Sequence, residues 1–137
     1  MSTNSPIALR KVLLLDATAS AVMGAVLVLD APTIAASTAI PSTLLWYVGV
    51  LLLPIAAFMA IVASRALGSA AAGWSIVTGN ELWVVGSLVL MFGPWITPNA
   101  LGYVFIGAQA AVVAALAAFE YRALRGLSAR IPAEALR

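Results

Sequence analysis

The chain is expected to fold as an all-α integral membrane four-helix bundle, and three observations carry that expectation. It is 64% hydrophobic and 9% charged, against about 45–50% and about 25% in soluble domains. Its mean hydropathy is +1.08. Four apolar runs reach the roughly 17–25 residues that cross a bilayer. Lipid offers no partner to backbone donors and acceptors, so segments of this length that pair them internally are helices.

The first span covers about residues 9–29, and its stretch "VLLLDATASAVMGAVLVL" is broken by one carboxylate, Asp16. That run is longer than the roughly 7–15 apolar residues of a signal-peptide core, so the span is expected to stay in the protein. The second covers 43–65, with Ser42 as N-cap and a kink at Pro54, which lacks a donor and crowds the carbonyl four residues back. The third covers 70–92 and ends at Gly93-Pro94. The fourth covers 98–125, with Thr97 as cap and Pro98 at the first helical position, and stops at Gly126. Residues 30–42 are the longest connection, with room for a short interfacial turn. Residues 1–126 then make one four-span domain and 127–137 a short basic tail; no internal repeat is visible.

Basic residues set the orientation. Arg10 and Lys11 precede the first span, Arg65 lies between the second and third, and Arg122, Arg125, Arg130 and Arg137 follow the fourth. The links at 30–42 and 93–97 contain neither lysine nor arginine. An even number of crossings places every basic residue on one side, which the positive-inside rule makes cytoplasmic. Both termini are therefore expected in the cytoplasm, with the chain multi-pass in a bacterial inner membrane. Aromatic belts agree: Trp46, Tyr47, Trp95 and Tyr103 fall at the outer interface, Trp74 and Tyr121 at the inner one.

Bundles in lipid pack through small residues. The first span offers Ala17, Ala21 and Ala25 beside Ser20 and Gly24; the third, Gly79, Gly86 and Gly93; the fourth, Gly107, Ala111, Ala114 and Ala118. These are expected to be the contact faces, with a homo-oligomer or a larger membrane-protein partner left open.

The chain has no cysteine and no histidine. This excludes disulfides, thiol chemistry, Cys/His metal sites and histidine-based nucleophile pairs. No metal site, cofactor or nucleic-acid partner is expected, and a lipid or other hydrophobic ligand is left open. What chemistry remains lies in polar residues inside the spans, which are costly there and are functional candidates by default. Asp16, Asn80, Glu81 and Gln109 are the four candidates, with Ser20, Trp83 and Ser87 as pocket or packing residues.

At about 100° per residue, Asp16 lines up with Ser20 and Gly24. Asn80 lines up with Trp83 and Ser87, on the side of Gly79 and Gly86, and reads as a helix–helix hydrogen-bonding residue toward Gln109 or Ser20. Glu81 points the other way, with Trp74, Thr78, Val85 and Leu88. So deep an acid must carry its proton or meet a partner: Arg65, a second subunit or a polar cavity. Gly102, Gln109, Leu116 and Glu120 align on the fourth span, opposite its alanines. Asp16 is expected to bond a neighbouring helix or to be reached by Arg122 or Arg125, and Glu120 to be solvated at the membrane boundary. Trp83 reads as packing, its N–H bonded to a serine or asparagine.

The stretches "LRKVLLLDA" at 9–17, "LLLP" at 51–54, "GNELW" at 79–83, "GAQA" at 107–110 and "EYRAL" at 120–124 resemble a group of uncharacterised bacterial four-span integral membrane proteins. That resemblance implies fold and topology alone. Asp16 also occupies a place comparable to the membrane carboxylate of small multidrug-resistance exporters, but those typically carry glutamate there, and the rest of their pattern is missing. Membrane glutathione-transferase-like proteins need arginines beside an Asn/Glu pattern, which "GNEL" lacks.

With no nucleophile–base pair and no metal cluster, an enzyme ranks last. The expected function is a non-enzymatic polytopic protein, either an accessory subunit or a bundle that binds a lipid or small molecule. The alternative is a small oligomeric proton-coupled transporter or channel using Asp16 or Glu81.

Overall fold

The computed structural model describes residues 6–65 and 70–128. The described residues form four helices: α1 (Pro6–Thr38), α2 (Ser42–Ser64), α3 (Ala70–Phe92) and α4 (Ala100–Ser128). All four are long and apolar enough to cross a membrane, and the chain is an all-α, multi-pass membrane bundle. The expected tail at 127–137 lies outside the described residues beyond Ser128, as do Arg130 and Arg137.

Two local expectations change here. Residues 30–42 are not a loop: α1 continues to Thr38 after leaving helical geometry at one residue, Asp30 (φ −130°, ψ 23°). Pro32 explains the break, because proline removes a helical hydrogen bond and restricts the residue before it. The helix then ends where Ala39 takes a left-handed φ of 56°, leaving a connection of only residues 39–41. By contrast α2 runs as one helix through Pro54. Ser42 is already inside that helix, and Pro41 holds the cap position without a side-chain bond.

The cap of α4 is Asn99 rather than Thr97. Its Oδ1 accepts from the Gly102 N–H at 2.9 Å, while its Nδ2 donates to the Ser37 carbonyl at 2.8 Å. The Asn99 N–H donates to the Thr38 carbonyl at 3.1 Å. One asparagine therefore satisfies the start of α4 and ties it to the end of α1, which a threonine two residues earlier cannot reach.

The packing order round the bundle is α2–α1–α4–α3. Extensive contact joins α1 to α2, α3 to α4 and α1 to α4, whereas α2 and α3 barely touch. One core cluster fills the end that carries Arg10, Lys11, Arg65, Arg122 and Arg125, built on Leu9, Leu13, Met59, Val62, Ile76, Val77 and Leu124. A second, around Leu27, Leu45, Leu52, Ile96 and Ile106, holds the other end. Trp74 packs edge-on against Tyr121 at the basic end, with ring centroids 5.5 Å apart.

Small residues pack closely in only one of the expected places. Gly24 and Gly49 face each other where α1 crosses α2: a Cβ on Gly49 would lie 2.9 Å from the Gly24 carbonyl oxygen and 2.8 Å from the Leu27 Cβ. The expected face of α3 is not a helix contact, since a Cβ on Gly79 or Gly86 would meet nothing within 4 Å. Nor is that of α4, where Ala111, Ala114 and Ala118 are exposed and Gly107 has open space above it. Instead α4 turns its polar line inward, burying Glu120 and half-burying Gln109. A carboxyl or amide facing lipid loses far more than an alanine does, so the polar face determines the rotation of the helix.

Candidate functional site

Helices α1, α3 and α4 bring Asp16, Asn80 and Glu120 together, although they are far apart in sequence. Each lies roughly 12–15 Å along its helix from the basic end, at 1.5 Å per residue. The Asn80 Nδ2 donates to Asp16 Oδ2 at 2.7 Å and to Glu120 Oε2 at 3.1 Å. All three are buried, and Glu120 has no exposed surface at all. Asp16 Oδ1 accepts from the Ser20 hydroxyl at 3.4 Å, a long bond. Glu120 Oε1 is buried without any hydrogen-bond partner.

This arrangement corrects one expectation and decides another. Glu120 is not solvated, and of the two partners expected for Asp16 it is a neighbouring helix, through Asn80, and not an arginine. Arg122 and Arg125 are exposed, and Arg125 turns to the Tyr121 hydroxyl at 3.2 Å. Burial of Glu120 follows from its alignment with Gln109 on one face of α4. That signal is present in the sequence, but the neighbouring Tyr121 and Arg122 mask it by marking the membrane boundary.

A second polar group lies further along α3 and α4. The Trp83 Nε1 donates to Gln109 Oε1 at 2.7 Å, Gln109 Nε2 donates to Ser87 Oγ at 2.9 Å, and Ser87 Oγ donates to the Trp83 carbonyl at 2.8 Å. The ring closes on itself and joins α3 to α4. Gln109 is thus engaged by Trp83 and Ser87, not by Asn80. Each member has a partner, so the ring fixes the position of the Trp83 indole and makes little demand on a ligand.

Both groups reach one cavity of about 1100 Å³, the first through Asp16 and Asn80, with the fully buried Glu120 behind them and outside the lining. Asp16, Ser20 and Asn80 mark its polar end, and Trp83, Ser87 and Gln109 continue along the wall. Most of the rest is apolar, including Met23, Leu52, Ile55 and Phe58 from α1 and α2, and Leu90 and Phe105 from α3 and α4, with Ser75 and, near the end of α1, Thr33, Ser37 and Thr38 as further polar lining. Because α2 and α3 barely touch, the cavity opens sideways between them, past the bare backbone of Gly79 and Gly86. An aqueous substrate has no evident route through so apolar an entrance, whereas a bilayer-soluble one does.

Glu81 stands apart. It is the central residue of the 23-residue α3, roughly 16 Å from either end, and it is exposed on the side away from the cavity. No hydrogen bond or ion pair reaches it among the described residues. An acid at mid-bilayer disfavours insertion by about 3 kcal/mol relative to leucine. Glu81→Leu is therefore expected to lower the apparent insertion free energy of α3 by about that amount. Glycosylation mapping of the third span in microsomes measures it; unchanged insertion would mean that Glu81 does not meet the hydrocarbon.

Among the described residues, no group of three or more acidic, cysteine or histidine side chains could hold a metal ion. Compared with protein-family models, with curated proteins and with solved structures, the chain matches none of them.

Proposed function

We propose that this chain is a non-enzymatic membrane-embedded binding protein that takes a small apolar or amphiphilic molecule from the bilayer through the gap between α2 and α3. The cavity carries this reading: it is about 1100 Å³, above the roughly 300–1,000 Å³ of common ligand pockets. Its walls are largely apolar, and its acid, Asp16, lies at one end beside Ser20 and Asn80, the division that an amphiphile needs. The biased basic residues support a bacterial inner-membrane location with both termini cytoplasmic, which puts the Asp16–Asn80–Glu120 group in the half of the membrane nearer the cytoplasm. Assembly as an accessory subunit or a homo-oligomer is compatible with this role and is read out by the same experiment.

Native mass spectrometry of the protein, gently extracted from its own membrane, tests the reading alongside Gly86→Leu. Gly86 lines the cavity and has no neighbour that a side chain would strike. Leucine there fills the binding space, and it improves helix propensity by roughly 0.8 kcal/mol. The expected result is a discrete small-molecule mass on the wild type that disappears in the folded variant. The same adduct on both proteins would count against the cavity as the site. A stoichiometric complex with a larger membrane protein and no adduct would replace binding with an accessory role.

A second reading, proton-coupled transport, is favoured by one observation: two buried carboxyl groups share the amide of Asn80. Flux in liposomes that ignores both a proton gradient and Asp16→Asn would rule it out.

A further inference from the structure

We propose that the Asp16–Asn80–Glu120 group is an exchange site that takes the ammonium end of a lipophilic amine and releases one proton in return. The proposal rests on the cavity being a binding site and names the chemical class of its ligand.

Hydrogen-bond accounting leads to it. Four carboxyl oxygens meet in one buried place, and the protein supplies three donors. The Asn80 Nδ2 reaches one oxygen of each carboxyl, and the Ser20 hydroxyl reaches Asp16 Oδ1 at 3.4 Å. Glu120 Oε1 is left with none. One nitrogen of Asn80 holds the two carboxyl groups side by side, at 2.7 Å from Asp16 Oδ2 and 3.1 Å from Glu120 Oε2, so a proton held between them supplies a missing donor. An ammonium group supplies N–H donors too, together with the positive charge that lets the pair ionise.

Among the described residues no other charge competes for that place. On α1 the group faces Asp16 and Ser20, and the exposed Arg10 and Lys11 lie at the helix end. On α4 it meets Glu120, with Arg122 and Arg125 exposed. On α3 Asn80 faces it and Glu81 points away. The only titratable residue of α2 is Tyr47, near the opposite end of the bundle, and α2 lines the cavity with apolar residues alone.

The exchange balances. The O–H bond of the protonated carboxyl breaks and its proton passes to water. The ammonium then forms N–H···O bonds to the Asp16 carboxylate, which lines the cavity, with Glu120 ionised behind it, so the total charge of the buried site is unchanged. An anion would meet two acids, and a neutral molecule would bring no positive charge to let both of them ionise. The apolar walls match an apolar body, and the lateral opening admits either a free amine dissolved in the bilayer or a lipid with an ammonium headgroup.

The test uses the full chain in phosphatidylcholine nanodiscs, with dansylcadaverine as a fluorescent primary amine and its N-acetyl derivative as the neutral control. Calorimetry in buffers of different ionisation heat counts protons. The expected result is one proton released per amine bound, and binding that tightens by about tenfold for each unit that pH rises while the site holds its proton. Asp16→Asn and Glu120→Gln, each checked for helix content and unfolding midpoint, should weaken amine binding at least tenfold and abolish proton release, leaving the N-acetyl derivative unaffected. Equal binding of amine and derivative without proton release would overturn the exchange and leave the binding reading standing. Failure of both probes to bind would overturn both. Repeating the titration in phosphatidylethanolamine nanodiscs identifies the source: competition by the lipid points to a headgroup, and unchanged affinity to a free amine.

Discussion

Asn80→Leu is expected to destabilise the bundle by about 3 kcal/mol, because it strips the shared donor from two buried carboxyl groups at once. Leucine nearly matches asparagine in size, so the loss reports hydrogen bonding and not a cavity. A companion variant separates the two causes. Replacing Asp16, Asn80 and Glu120 together with leucine removes all three buried members of the group and leaves only the half-buried Ser20 hydroxyl, and buried polar sets replaced in this way are often neutral or stabilised. Equilibrium unfolding of all three proteins in one detergent measures the effect. The expected order places the single variant lowest, with the triple variant at or above the wild type. A single variant as stable as the wild type would mean that Asn80 does not hold the two acids.

Gly49→Leu is the second large effect, expected to cost about 3 kcal/mol, the upper part of the usual range for overpacking. A side chain at Gly49 would have to pass within 2.9 Å of both the Gly24 carbonyl oxygen and the Val28 backbone nitrogen. Those are backbone atoms and cannot rotate aside, so α1 and α2 must move apart along the most extensive helix contact in the bundle. At Gly86 a Cβ meets nothing within 4 Å, and the same substitution there should leave the unfolding midpoint unchanged or higher. The pair is informative because composition and helical environment are alike and only the crossing differs. Equal midpoints for the two variants would show that α1 and α2 do not cross at these glycines.

The sequence made some of this legible and not the rest, and particular residues show why. The spans follow from apolar length, a property of each segment alone. The inward face of α4 was readable from the alignment of Gln109 with Glu120, yet its small residues pointed to the opposite face as the contact. Counting small residues cannot decide between the two, because alanine tolerates both lipid and protein, whereas a carboxyl tolerates only one of them. The cap at Asn99 was missed for a related reason: its choice over Thr97 depends on the carbonyls of Ser37 and Thr38, which belong to another helix. The extension of α1 beyond Asp30 was hidden by Pro32, which breaks helical geometry without ending the helix.

By itself, then, the sequence determined that four apolar helices make an all-α membrane bundle without thiol or histidine chemistry, since hydropathy and composition act locally and additively. The tertiary structure decided which acids meet. Asp16, Asn80 and Glu120 come from three helices, and their meeting depends on the rotation of each about its own axis and on the order α2–α1–α4–α3. The loose edge between α2 and α3, which opens the cavity, depends on the same packing. Glu81, one residue from Asn80, faces away because successive helical residues point about 100° apart, and only the position of α4 determines which of the two is buried.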